Sequence, residues 1–233
     1  MVEIIEWYNS MLTPAITLGW PISYMELIIL VFNVGGVYLA AKNTVWTAPV
    51  CLVAITAYCA VCFSLRFYSE FFLQIYFFIT NVWLIFAWSK RVNGEKEPIK
   101  NMSWHMTLYV VALWVASSWF LGANIDLFFT VFVTTGMALV SVITGEAYTY
   151  VHTTASYPFV DAFTTIGQII AMVLMVRRYI ANWYIWIAID ILCIPMFALK
   201  GGYGVSLMFV IFTAVAIFGL LKWKRIQAAQ ATV

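Results

Sequence analysis

Apolar runs of about twenty residues recur along this chain from residue 22 to residue 221, separated by short stretches that hold most of its charges. A hydrocarbon core about 30 Å thick is crossed by roughly twenty helical residues, so the pattern predicts a polytopic α-helical membrane protein. Composition agrees: 64% of the 233 residues are hydrophobic and 9% are charged, with a mean hydropathy of +0.95. A soluble domain of this length has too little interior to hide so much apolar surface. A transmembrane barrel would instead show alternating segments of about ten residues. One membrane domain fills the length and leaves no room for a nucleotide-binding or catalytic domain, so transport would run downhill or be powered elsewhere.

The clearest spans are 22–40, 47–65, 71–88, 104–121, 126–143, 159–176, 183–199 and 203–221. Residues 1–20 mix Glu3, Glu6 and Asn9 with apolar residues and contain Pro14, which reads as an amphipathic, interfacial helix. Basic residues set the orientation: Lys42, Lys90, Arg91, Arg177, Arg178, Lys222, Lys224 and Arg225 belong inside, with Arg66 the minority charge outside. The N-terminus is then outside and the C-terminus cytoplasmic. This placement demands an odd number of crossings between Lys100 and Phe159, where hydropathy offers two candidates. One of the two is interfacial, re-entrant or joined to the other in a broken long helix, giving seven core spans; eight would break the basic-inside rule at one end.

Two triplets resemble each other. The first span of residues 21–89 ends in L-A-A-K-N and that of residues 159–225 in L-M-V-R-R; the third spans approach W-S-K-R and K-W-K-R. Both cross in the same direction, so they read as parallel three-helix bundles joined by a linking helix within residues 101–145, a 3+1+3 arrangement.

Polar groups at membrane depth face a bundle interior or a cavity, because lipid cannot satisfy them. Gln74 and Asn81 share a helix face two turns apart, Asn33 lies beside Gly35 and Gly36, and Gln168 lies seven residues beyond Asp161. Pocket lining and helix–helix hydrogen bonding both fit these amides. In N-W-Y-I-W-I-A-I-D, Trp183 and Trp186 fall on one face, with Asn182 before them and Asp190 one turn on. They suit a flat, partly polar solute, although tryptophan is also common at membrane interfaces. Asp190 suits ribose hydroxyls, a cation, or a structural partner.

Other chemistry has little support. Cys51, Cys59, Cys62 and Cys193 are scattered and read as reduced, buried small hydrophobes; His105 and His152 stand alone; Met172, Met175 and Met196 read as packing. No metal site, cofactor or hydrolytic constellation is expected. A net charge of +2 with basic residues at interfaces gives no argument for nucleic acid. The polar, tyrosine-rich stretch 146–158 suits a lid or a plain loop.

F-L-Q-I-Y-F-F-I-T-N followed by F-A-W-S, then P-F-V-D-A-F, and A-M-V-L-M-V-R-R-Y-I-A-N-W-Y-I-W resemble the PnuC family of bacterial vitamin B3 transporters, from about Met25 onward. The resemblance implies a SWEET-like, all-α fold in one chain of the bacterial inner membrane, homo-oligomeric and up to a homotrimer. It implies facilitated diffusion of nicotinamide riboside, with a cytoplasmic kinase trapping the product. Trp183 and Trp186 would flank the substrate, with Gln74 and Asn81 as hydrogen-bonding groups. Thiamine and riboflavin carriers in the wider family keep those solutes open, and a receptor or scaffold without transport is the rival class.

Overall fold

In the computed structural model, described for residues 14–17, 21–64, 68–92, 95–145, 157–199 and 203–230, the chain is built from helices. These are α1 (Tyr24–Ala41), α2 (Thr47–Ser64), α3 (Tyr68–Ser89), α4 (Trp104–Ala123), α5 (Ile125–Thr144), α6 (Pro158–Val176), α7 (Ala181–Leu199) and α8 (Tyr203–Gln230). Five stretches are long and apolar enough to cross a membrane: Tyr24–Ala41, Trp104–Ala123, Pro158–Val176, Ala181–Leu199 and Ser206–Gln230. Thr47–Cys62, Leu73–Ser89 and Ile125–Leu139 are shorter apolar stretches. The result is an all-α, multi-pass membrane fold.

The N-terminal segment departs from the expected interfacial helix where it is described. Pro14–Thr17 (β1) pairs antiparallel with Pro21–Ser23 (β2). Pro14 and Pro21 each lack a donor, and β-branched Ile16 and Thr17 favour extended backbone over helix. A second short pairing, Arg91–Val92 (β3) with Glu95–Lys96 (β4), folds the basic loop after α3. Arg66, Lys200, His152 and most of the proposed 146–158 lid lie outside the described residues.

Helices α1, α2 and α3 pack together, as do α6, α7 and α8. The groups meet where α1 lies against α8 and α3 against α6. Small residues allow close approach: a Cβ on Gly36 would collide with Cys51, and Thr47 Oγ1 donates to the Gly36 carbonyl at 2.6 Å.

The α1–α2 and α6–α7 turns have the same local construction. In the first, Asn43 N–H reaches Ala40 O at 2.9 Å and Thr44 N–H reaches Leu39 O at 3.3 Å. In the second, Arg178 N–H reaches Met175 O and Tyr179 N–H reaches Leu174 O, both at 2.9 Å. Each is a Schellman-type helix end with a left-handed residue, Asn43 at φ 54° and Arg178 at φ 60°. Asparagine tolerates that conformation. For arginine it costs about 1 kcal/mol or more, so surrounding contacts must hold it there.

α4 runs antiparallel to α6. Lys100, just before α4, bridges Tyr179; the Trp114 indole stacks on Phe163 at 4.2 Å and donates to its carbonyl at 2.8 Å; Gly122 lies against Phe159. The end of α4 and the start of α6 therefore share one side of the molecule. A one-residue break at Asn124 separates α4 from α5, whose contacts with α4 and α3 are few. Two helices of a packed hairpin would touch along their length, and these do not.

At Gly167 an added Cβ would fall 2.6 Å from Trp114 and 2.8 Å from Ile189, whereas at Gly35 the nearest atom is 3.7 Å away. Gly167→Val should lower stability in detergent by about 1–3 kcal/mol. Gly35→Ala should leave it unchanged or raise it by up to about 1 kcal/mol. Thermal unfolding of the purified variants checks both, and equal effects would contradict the packing described.

Candidate solute site

The first turn of α7 concentrates unmet polarity. It starts directly after the constrained Arg178 turn, so Asn182 and Trp183 are carried into the interior and are fully buried. Asn182 Nδ2 donates to the Tyr179 carbonyl at 2.6 Å, but its Oδ1 has no hydrogen-bond partner. The indole Nε1 atoms of Trp183 and Trp186 are also buried without partners. An unsatisfied buried donor or acceptor costs about 1–3 kcal/mol, and three within five residues are what a polar solute would relieve.

Trp183 is not an open stacking surface in this conformation. Its ring lies against the backbone of Gly219, where a Cβ would stand 2.6 Å from Cη2, and is edge-on to Trp223 with centroids 5.6 Å apart. Trp186 is half-buried and packs in the same cluster as Tyr76, Phe77 and Ile187. Asp190 is 3% exposed, and its position puts it on the Trp183–Trp186 face of α7.

Across from α7, Gln74, Asn81, Leu84 and Trp88 form a buried stripe down α3. Asn81 Nδ2 donates to the Phe77 carbonyl in its own helix at 2.9 Å, which leaves its oxygen for another donor. Tyr76 hydroxyl donates to the Ile169 carbonyl at 2.8 Å, tying α3 to α6 beside Gln168. Gln168 and Asn33 are half-buried, and they stand at the separation of 135 residues that also relates Asn43 to Arg178. Gln74 and Asn81 thus lie on α3, Gln168 on α6 and Trp183, Trp186 and Asp190 on α7, with α6 packed against both α3 and α7, while Asn33 lies on α1. The sequence reading missed Tyr76, whose spacing in an aromatic run looks like ordinary packing.

Among the described residues no group of three or more His, Cys, Asp or Glu side chains is placed to hold a metal. No disulfide joins the four cysteines, and Cys62 and Cys193 are buried.

A family model described as "Nicotinamide mononucleotide transporter" matches residues 23–225. The chain belongs to this transporter family. Similar curated proteins include the nicotinamide riboside transporter PnuC of Escherichia coli, 24% identical over 208 residues, covering 88% of this chain and 87% of that protein. The nicotinamide riboside transporter PnuC of Neisseria mucosa is 23% identical, covering 88% of this chain and 74% of that one. The riboflavin/roseoflavin transporter RibM of Streptomyces davaonensis is 30% identical over 67 residues, 28% of this chain. The fold is that of a solved structure titled "Crystal structure of the Vitamin B3 transporter PnuC", with a TM-score of 0.64 at 18% identity, covering 98% of this chain and 91% of that one.

Replacing Trp186 with Phe keeps an aromatic ring, smaller than the indole, and removes the unmet N–H. Unliganded thermal stability should hold or rise by up to about 1 kcal/mol while solute affinity falls. A loss of stability without a loss of affinity, read by melting and titration, would assign that indole to packing alone.

Proposed function

We propose that the chain carries nicotinamide riboside across the bacterial inner membrane by facilitated diffusion. The observation that carries this reading is the trio of unmet polar atoms at Asn182, Trp183 and Trp186. Indole faces suit a flat pyridinium cation, contributing about 0.5–2 kcal/mol each, and the amides of Gln74, Asn81, Gln168 and Asn33 suit the ring carboxamide and the ribose hydroxyls. The relatives above are named for the riboside and the family description for the mononucleotide. None of the residues assigned to the site is cationic, so a phosphate would find no charged partner among them, which supports the riboside.

We read the architecture as seven core spans in a 3+1+3 order, with α4 as the inverting link and α5 peripheral. The antiparallel course of α4 along α6 supports this, since the chain then returns to α6 without a net crossing. The basic ends of α1, α3, α6 and α8 are taken as cytoplasmic and the N-terminus as outside. Alternating access follows from rocking of the two groups about the α1–α8 and α3–α6 contacts, after which a cytoplasmic kinase traps the riboside without any required contact. A homotrimer is the proposed assembly. A second reading, riboflavin, is favoured by the RibM segment, and thiamine is the further alternative.

Proteoliposomes loaded with unlabelled nicotinamide riboside should take up labelled solute by exchange, with no response to an imposed proton or sodium gradient. Trp183→Ala should cut the rate at least tenfold. Accumulation only under an ion gradient would overturn uniport, and absence of exchange would overturn the solute.

A further inference from the structure

At the basic end, the two groups of helices are fastened by contacts that mirror one another. The Trp88 indole of α3 donates to the Val176 carbonyl at the end of α6, at 3.0 Å. The Trp223 indole of α8 donates to the Ala40 carbonyl near the end of α1, also at 3.0 Å. Trp88 and Trp223 are separated in sequence by the same 135 residues as Asn43 and Arg178. Their rings lie 5.9 Å apart, and both are buried.

The two left-handed turn residues complete the closure. Arg178 Nη1 donates to Asn43 Oδ1 from one group to the other, and the Arg178 guanidinium sits 4.5 Å from the Trp88 ring centroid. Arg178 is 1% exposed and Asn43 5%. Neither turn requires the other for its own hydrogen bonding, because each Schellman end is closed locally. An arginine held at φ 60° is therefore explained by where its side chain is sent. The linking strap is tied to both turns: Lys96 Nζ donates to Asn43 O at 3.1 Å, Lys100 N–H donates to Arg178 O at 2.9 Å, and Ile180 N–H returns to Lys100 O at 3.0 Å.

We propose that Asn43 and Arg178, backed by Trp88 and Trp223, form the latch that closes the inner exit, and that release of solute requires this pair to part. The proposal rests on the two-group, basic-end-inside reading above. Its symmetry explains the device: equivalent positions of a duplicated bundle meet at the axis relating the copies, where one interaction spans both. Trp183, edge-on to Trp223, links the latch to the solute site.

The test needs no solute. Val37, which packs against the latch cluster, is replaced by cysteine in a chain whose four native cysteines are changed to alanine. Labelling by an impermeant maleimide is followed in inside-out and right-side-out vesicles. Labelling from inside should be slow in this background and at least fivefold faster in Arg178→Asn or Asn43→Arg. Asn43→Arg combined with Arg178→Asn, which exchanges the partners, should return it to within about twofold. Trp223→Phe, which leaves a smaller aromatic ring and loses the bond to Ala40, should accelerate it as well and serves if an Arg178 variant does not fold. Unchanged labelling in the folded single variants, or an exchanged pair labelling as fast as either single variant, would overturn the latch. Accelerated inside labelling in a protein that shows no nicotinamide riboside exchange would overturn the solute and leave the latch standing.

Discussion

The ends of two helices each receive an indole donor from the opposite group, the Ala40 carbonyl of α1 in addition to its own Asn43 N–H. A membrane helix leaves its last carbonyls unsatisfied, and hydrocarbon provides nothing to pair with them. Trp88 supplies the donor for α6 and Trp223 the donor for α1. Each bond joins one group to the other, so the pair holds the basic ends of the two groups together. On the proposed reading, solute access at that end requires both bonds to part.

Much of the arrangement is legible in residue order, and the illegible parts have physical reasons. Apolar runs with basic edges locate the helices well, since length and charge are one-dimensional properties. The likeness of L-A-A-K-N to L-M-V-R-R marks the two turns that prove alike in hydrogen bonding, down to the left-handed residue in each. That those residues touch one another does not follow from either copy alone. The β1–β2 pairing escaped because amphipathic composition is shared by an interfacial helix and a short hairpin. The break at Asn124 was one of several outcomes compatible with the charge rule, and it becomes visible only in the backbone, with Trp114 and Gly122 docked along α6.

The candidate site shows the same division. Helical spacing correctly placed Trp183, Trp186 and Asp190 on one face of α7, and Gln74 with Asn81 on one buried face of α3. It did not disclose that Trp183 lies closed against Gly219 and Trp223, because that depends on a glycine thirty-six residues away on α8. On the proposed reading, the buried indole N–H groups of Trp183 and Trp186 are donors that a polar solute could meet.

Parallel calorimetric titration of the purified protein with nicotinamide riboside, its mononucleotide, thiamine and riboflavin tests the central claim most directly. The account predicts saturable heat with nicotinamide riboside, weaker by at least tenfold with the mononucleotide because no residue assigned to the site is cationic, and none with the other two. Preference for the mononucleotide would contradict the residues assigned to the site. Binding of riboflavin or thiamine in place of the riboside would contradict the vitamin B3 reading itself.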